Sequence, residues 1–236
     1  MLLIHDLGDS PRTWDLLAPG FRASHHVYAV ELRGHGGADR PPAAEYRFDD
    51  IYSDISTFTK EIGLKGAVVI GHGAGSRLAA RLAADLPDAV SSLAICDLEA
   101  REDHAESEWA SFDEMVGYLK RQRPGAADSV LDRQGRSLSG GGLDGGRSFK
   151  HDSAAYPAYM ASADELWADW SRIGCPALVL RGRLSRDLTH GEAVDIAESL
   201  GRRRLAEIEG TGRWLHQEMP GAFEETLRWF LGSPPH

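Results

Sequence analysis

An α/β fold is predicted for this chain: a mostly parallel central sheet with helices on both faces and a small helical lid inserted between two stretches of core. Three observations predict it. Short apolar runs of strand type alternate with amphipathic helical stretches along most of the chain. One of those runs, Ala67 to Ile70, passes straight into a Gly-x-x-x-Gly turn and then into the helix-forming segment Ser76 to Ala84. The alternation breaks between Asp97 and Trp167, where charge and glycine dominate.

The strands follow from the runs Leu2 to Ile4, Val27 to Val30, Ala67 to Ile70, Leu93 to Cys96, Ala177 to Arg181 and Arg204 to Ile208. Helical spacing of apolar residues places helices over Arg12 to Leu17, Phe48 to Ile62, Ser76 to Ala84, Ala193 to Leu200 and Ala222 to Phe230. In the last of these, Phe223, Leu227 and Phe230 share one face. The core is therefore expected over residues 1–97 and 164–236, and the lid over 98–163. Gly140 to Gly146 reads as a flexible loop rather than a phosphate cradle, because no strand-loop-helix arrangement with a lysine follows it. The lid also holds Tyr118, Phe149, Tyr156, Tyr159 and Met160, which either face a substrate or anchor the lid to the sheet.

The chain has 236 residues, 42% of them hydrophobic and 26% charged, which suits one soluble globular core. A formal net charge of -10 disfavours nucleic acid or an anionic membrane as partner, so any anion site must be local. Cys96 and Cys175 have neither metal nor redox spacing and read as buried thiols in a reducing compartment. No run of about 18 apolar residues occurs, and the start Met1-Leu2-Leu3-Ile4 lacks the basic flank of a signal peptide. A cytoplasmic protein is expected. No cofactor is implied, since there is no Gly-x-Gly-x-x-Gly after a strand and no clustered metal-ligand spacing.

Four motifs in order resemble the α/β-hydrolase fold, of the type with a small helical cap. They are His5-Asp6-Leu7-Gly8, like the His-Gly-x-Gly oxyanion loop, and Glu31-Leu32-Arg33-Gly34-His35-Gly36, like the Asp-x-Arg-Gly-x-Gly turn. Gly71 to Gly75 is similar to the nucleophile elbow, and Gly210 to Pro220 to the loop that presents the catalytic histidine. The resemblance implies a strand pair ahead of the His-Gly loop. This chain starts inside the strand that follows, so that pair is expected to be missing or the sheet shortened.

Read against the family, the residues of an acyl-transfer triad are replaced. Gly73 stands where the serine would be, Arg213 where the histidine would be, and Arg186 where the acid would be, with Asp187 one position off. A guanidinium cannot serve as a general base near neutral pH. Ser76 lies about one helical turn beyond the elbow tip, and His216 three residues beyond Arg213, so a displaced triad of Ser76, His216 and Asp187 stays open. The resemblance makes the amides of Leu7 and Ala74 the pair that would polarise a carbonyl. Asp6 replaces a family glycine and reads either as a general base or as a structural partner of loop amides or Arg33. His5, His35 and His72 read as structural, and Asp97 as a brace for the elbow or lid.

From these readings a non-hydrolytic enzyme is expected: epimerisation or isomerisation beside a polarised carbonyl, on a small-molecule or modified-peptide substrate with an anionic group. Asp6, Leu7, Gly73 and Ala74 would form its catalytic centre, and His5, Arg213, Arg186, Asp97 and His216 its binding groups. Loss of the triad and small size resemble the atypical α/β-hydrolase-fold epimerases of bottromycin-type peptide biosynthesis. A ligand- or partner-binding protein without turnover is the second reading, and a hydrolase with displaced residues the third.

Overall fold

A computed structural model describes residues 1–98, 108–141, 146–162, 170–201 and 203–232. In chain order the elements are β1 (Leu2–Ile4), α1 (Ala18–Phe21), β2 (Tyr28–Val30), α2 (Phe48–Glu61), β3 (Ala67–His72), α3 (Ala74–Asp85) and β4 (Val90–Cys96). The inserted region supplies β5 (Glu108–Trp109), α4 (Phe112–Gln122), α5 (Asp128–Leu138), β6 (Ser139–Gly141), β7 (Arg147–Phe149) and α6 (Ala155–Met160). The core resumes with β8 (Ala177–Gly182), α7 (His190–Ser199), β9 (Arg203–Ile208), α8 (Leu215–Glu218) and α9 (Pro220–Leu231).

Six strands form one sheet in the order β2-β1-β3-β4-β8-β9, and every pairing in it is parallel. Because successive side chains alternate across a strand, each apolar run feeds two cores at once. Leu2, Ile4, Val69, Leu93, Ile95 and Val179 pack on one face with α2, α3 and α7. Leu3, Val68, Ile70, Ala94, Leu178 and Leu180 pack on the other with Trp14, Phe21, Phe223 and Leu227. This double burial explains why β1, β3 and β8 are buried along their whole length and carry continuous apolar runs rather than an alternating pattern. No helix among the described residues is long and apolar enough to cross a membrane.

Two local expectations are corrected. The helix expected over Arg12 to Leu17 is instead a single 3-10 turn, Pro11–Trp14, followed by the short α1 with Pro19 in its first turn. Each proline lacks an amide hydrogen and so opens a new turn rather than continuing the previous one. The lid is not purely helical either, since β5, β7 and β6 form a three-stranded antiparallel sheet beside α4 and α5. Gly140 and Gly141, expected in a loop, belong to β6, while residues 142–145 of that loop lie outside the described residues, as does the expected lid boundary at 163/164.

Candidate active site

The carboxyl ends of β1, β3, β4 and β8 meet at one rim, and the chain leaves β3 there by a sharp turn into α3. Gly73 at its tip has φ +57° and ψ -123°, a conformation that side chains with a Cβ rarely adopt. The flanking glycines permit the turn to pack, for a Cβ on Gly75 would collide with the carbonyls of Ile4 and His5. This is the expected elbow, and the strand-to-helix geometry is intact.

The volume beyond Gly73 is filled from elsewhere. A Cβ on Gly73 would run into the carboxylate of Asp6 and the guanidinium of Arg213. Asp6 Oδ1 accepts the amide hydrogen of Ala74 at 2.7 Å, and Asp6 Oδ2 is ion-paired with Arg213. Both side chains are buried. Arg213 also donates to the carbonyl of Leu98 and lies 3.4 Å from Asp187 Oδ2. Burial works against its charge, but Asp6, Asp97 and Asp187 outweigh that and hold its pKa above the ordinary value. Arg33, the other partner considered for Asp6, instead forks onto Asp54 at 2.6 and 2.7 Å.

The remaining sequence-derived site residues fall into place around this pair. His5 donates from Nδ1 to its neighbour's carbonyl and accepts from the Leu32 amide at Nε2, so it is a neutral bracket for two loops. Burial lowers its pKa to about 4. His35 does the same between Arg33 and Gly8, with burial taking it to about 3. Leu7 lines the cavity beneath the lid, together with Asp6, Tyr118, Phe149, Tyr156 and Trp214. Asp97, fully buried after β4, adopts φ +56°, and burial raises its pKa to about 7 against the opposing pull of Arg213. Arg186 is exposed, and Arg183 is exposed and paired with Glu209.

Two groups offered for a displaced triad are committed to other partners. Ser76 is buried; it donates toward the carbonyls of Gly71 (2.9 Å) and Cys96 (3.4 Å) and accepts from the Cys96 amide. His216 is buried and bonded through Nε2 to Thr13 Oγ1 at 2.6 Å. Sequence reasoning missed Arg123, which closes the cavity from the lid. Its guanidinium carbon lies 3.7 Å from the centre of the Trp214 ring, and it donates to Gln217 at 2.8 Å. It also missed Asp9, which the fold brings beside His72 and His216 although no spacing along the chain suggests it.

The Alpha/beta hydrolase family profile matches residues 1–226. The chain belongs to the alpha/beta hydrolase family. This member of the family is 28% identical to epoxide hydrolase A of Mycobacterium tuberculosis over 289 residues, covering 98% of this chain and 89% of that protein. It is 30% identical to bifunctional epoxide hydrolase 2 of Sus scrofa over 234 residues, 97% of this chain but 37% of the relative. The crystal structure of an E-2-(acetamidomethylene)succinate hydrolase superposes with a TM-score of 0.89 at 20% identity, covering 99% of this chain and 91% of the other. All three are enzymes named as hydrolases. That overturns the expected epimerisation or isomerisation and gives the likeness to bottromycin-type epimerases no support. The geometry agrees, because the Ala74 amide expected to polarise a substrate carbonyl is already engaged by Asp6.

Proposed function

We propose that this protein is a hydrolase that works without a serine-histidine-carboxylate relay, using Asp6 as the nucleophile and a small epoxide as substrate. The observation that carries the reading is the position of the Asp6 carboxylate, which fills the space a side chain on Gly73 would occupy and lies on the Ala74 amide. A carboxylate is a competent nucleophile toward saturated carbon, and Arg213 pairs with this one and holds it in place. The full-length similarity to epoxide hydrolase A supports the choice of electrophile.

The chemistry closes on the residues present. Asp6 Oδ2 attacks one ring carbon, the carbon–oxygen bond opens, and the ring oxygen takes a proton from the phenol of Tyr118 or Tyr156 on the lid side of the cavity. Oδ1 then becomes the ester carbonyl, already seated on the Ala74 amide at the start of α3. That amide stabilises the oxyanion when water attacks the ester carbon. Collapse releases a diol and an aspartic acid, which returns its proton to the phenolate.

A single turnover in heavy-oxygen water tests the route. The first diol formed carries the Asp6 oxygen and no label, while the peptide containing Asp6 gains one heavy oxygen. Asp6→Asn is expected to lower turnover at least about 1,000-fold while the circular dichroism spectrum is kept. Labelled first-turnover diol and an unlabelled Asp6, or no diol from a panel of aliphatic and aromatic epoxides, would sink the proposal.

A further inference from the structure

Beneath the elbow lies a second cluster that the proposed reaction does not use. Asp9 follows the oxyanion loop, His72 is the last residue of β3, and His216 sits in α8. All three are buried, with relative exposures of 2%, 0% and 2%. Each presents one side-chain atom without a hydrogen-bond partner: Asp9 Oδ2, His72 Nδ1 and His216 Nδ1. One ligand-type atom from each lies within 4.8 Å of those of the other two.

The surrounding hydrogen bonds set the protonation that a metal needs. His72 Nε2 faces the carbonyl of Arg213 at 3.1 Å, and a carbonyl only accepts, so the proton is on Nε2 and Nδ1 carries a lone pair. His216 Nε2 meets Thr13 Oγ1, which already accepts from Gln217 Nε2 at 2.6 Å and has a second lone pair for a histidine donor. That arrangement leaves His216 Nδ1 as a second open lone pair. Asp9 Oδ1 accepts from the Ser10 amide at 2.9 Å, which orients Oδ2. A carbonyl and a hydroxyl behind two imidazoles form the outer support that metal-binding histidines need.

The donors are two imidazoles and one carboxylate, which suit zinc in four-coordinate geometry with one further ligand. Zinc at about 2.0–2.1 Å from each donor needs them about 3.4 Å apart, so three side chains whose ligand-type atoms lie within 4.8 Å of one another would draw closer around the ion.

We infer that Asp9, His72 and His216 form a transition-metal site that ties the loop after β1, the end of β3 and α8 together under the elbow. This inference is independent of the epoxide reading, and its test does not read turnover. The full chain, stripped with chelator and dialysed against zinc, is expected to retain one equivalent and to melt at a higher temperature. With cobalt as the probe it is expected to show the intense visible bands of four- or five-coordinate ion in place of the pale aquo ion. Asp9→Asn and His216→Gln are each expected to weaken zinc at least about 100-fold. Circular dichroism separates loss of ligand from loss of fold, and the wild-type stoichiometry stands without any variant. Retention of no zinc and an aquo-like cobalt spectrum in the wild type would overturn the site. Binding that survives both substitutions would assign the metal to other histidines and overturn it as well.

Discussion

At the scale of single residues, Asp97 shows how burial and backbone geometry act together. Its φ of +56° lies in the left-handed region, which aspartate and asparagine tolerate better than other side chains that carry a Cβ. Burial raises its carboxyl from 3.8 to about 7, so the folded protein holds a proton that the unfolded chain has released. Stability from that proton is present in full below about 3.8 and has been lost once the pH has risen through about 7. Asp97→Asn removes the titration and keeps the shape. It should therefore gain on the wild type as the pH is raised from about 5 to about 8. His5 and His35 pull the other way, losing stability in acid, but they do so in both proteins and cancel from the difference. Urea midpoints of the two proteins across that range check this, and a constant gap would refute it. The sequence singled out Asp97 and Asp6 because they stand at motif positions. It could not give their partners, since Arg213 is more than two hundred residues from Asp6 and only the closed sheet brings them together.

Among the elements, the strand-turn-helix of β3 and α3 was the most legible, because a buried apolar run followed by closely spaced glycines leaves the backbone few alternatives. Strand ends were less so. The sequence stops β3 at Ile70, yet Gly71 and His72 stay in register with Ile95 and Cys96, since pairing is decided by the neighbour rather than by the residue. The sheet within the lid was invisible for a similar reason: Ser139-Gly140-Gly141 has no strand propensity and is ordered by pairing with Arg147–Phe149. The elbow also makes a prediction against simple repair. Gly73→Ser puts a side chain at positive φ, costing about 1–3 kcal/mol in backbone strain alone, and drives it into Asp6 and Arg213. The variant is expected to melt lower and to gain no esterase activity on p-nitrophenyl acetate. Unchanged stability, or a new burst of p-nitrophenol, would show that the ion pair does not hold that space.

For the whole molecule, the alternation of apolar runs and amphipathic helices was enough to specify a parallel sheet with two covered faces, because only that architecture buries both sides of each run. It did not specify how firmly the lid is joined to the sheet. Trp109, Met115, Tyr118, Leu119, Leu131 and Leu138 form a cluster of their own, separate from the two sheet cores. Links to the core include Arg123, packed on Trp214 and bonded to Gln217, the Tyr159 hydroxyl, 3.3 Å from the carbonyl of Ala74, and polar contacts of Ser137 with Ser10, Gln134 with the Arg12 carbonyl, Asp152 with Tyr46 and Ser162 with the Phe48 amide. A unit with an apolar cluster of its own, joined to the sheet mainly by polar contacts, is expected to open without unfolding the rest. In native-state hydrogen exchange, α4 and α5 should therefore exchange faster than β3, β4 and β8. A hydrogen bond to a charged group is worth about 1.5–3 kcal/mol, so Arg123→Ala should speed exchange in α4 and α5 by about 10-fold to 100-fold. The rates in β3, β4 and β8 should not change, because those amides exchange only when the sheet itself opens. Equal acceleration in lid and sheet would mean that the two open as one cooperative unit and that the lid's separate cluster has no independent stability.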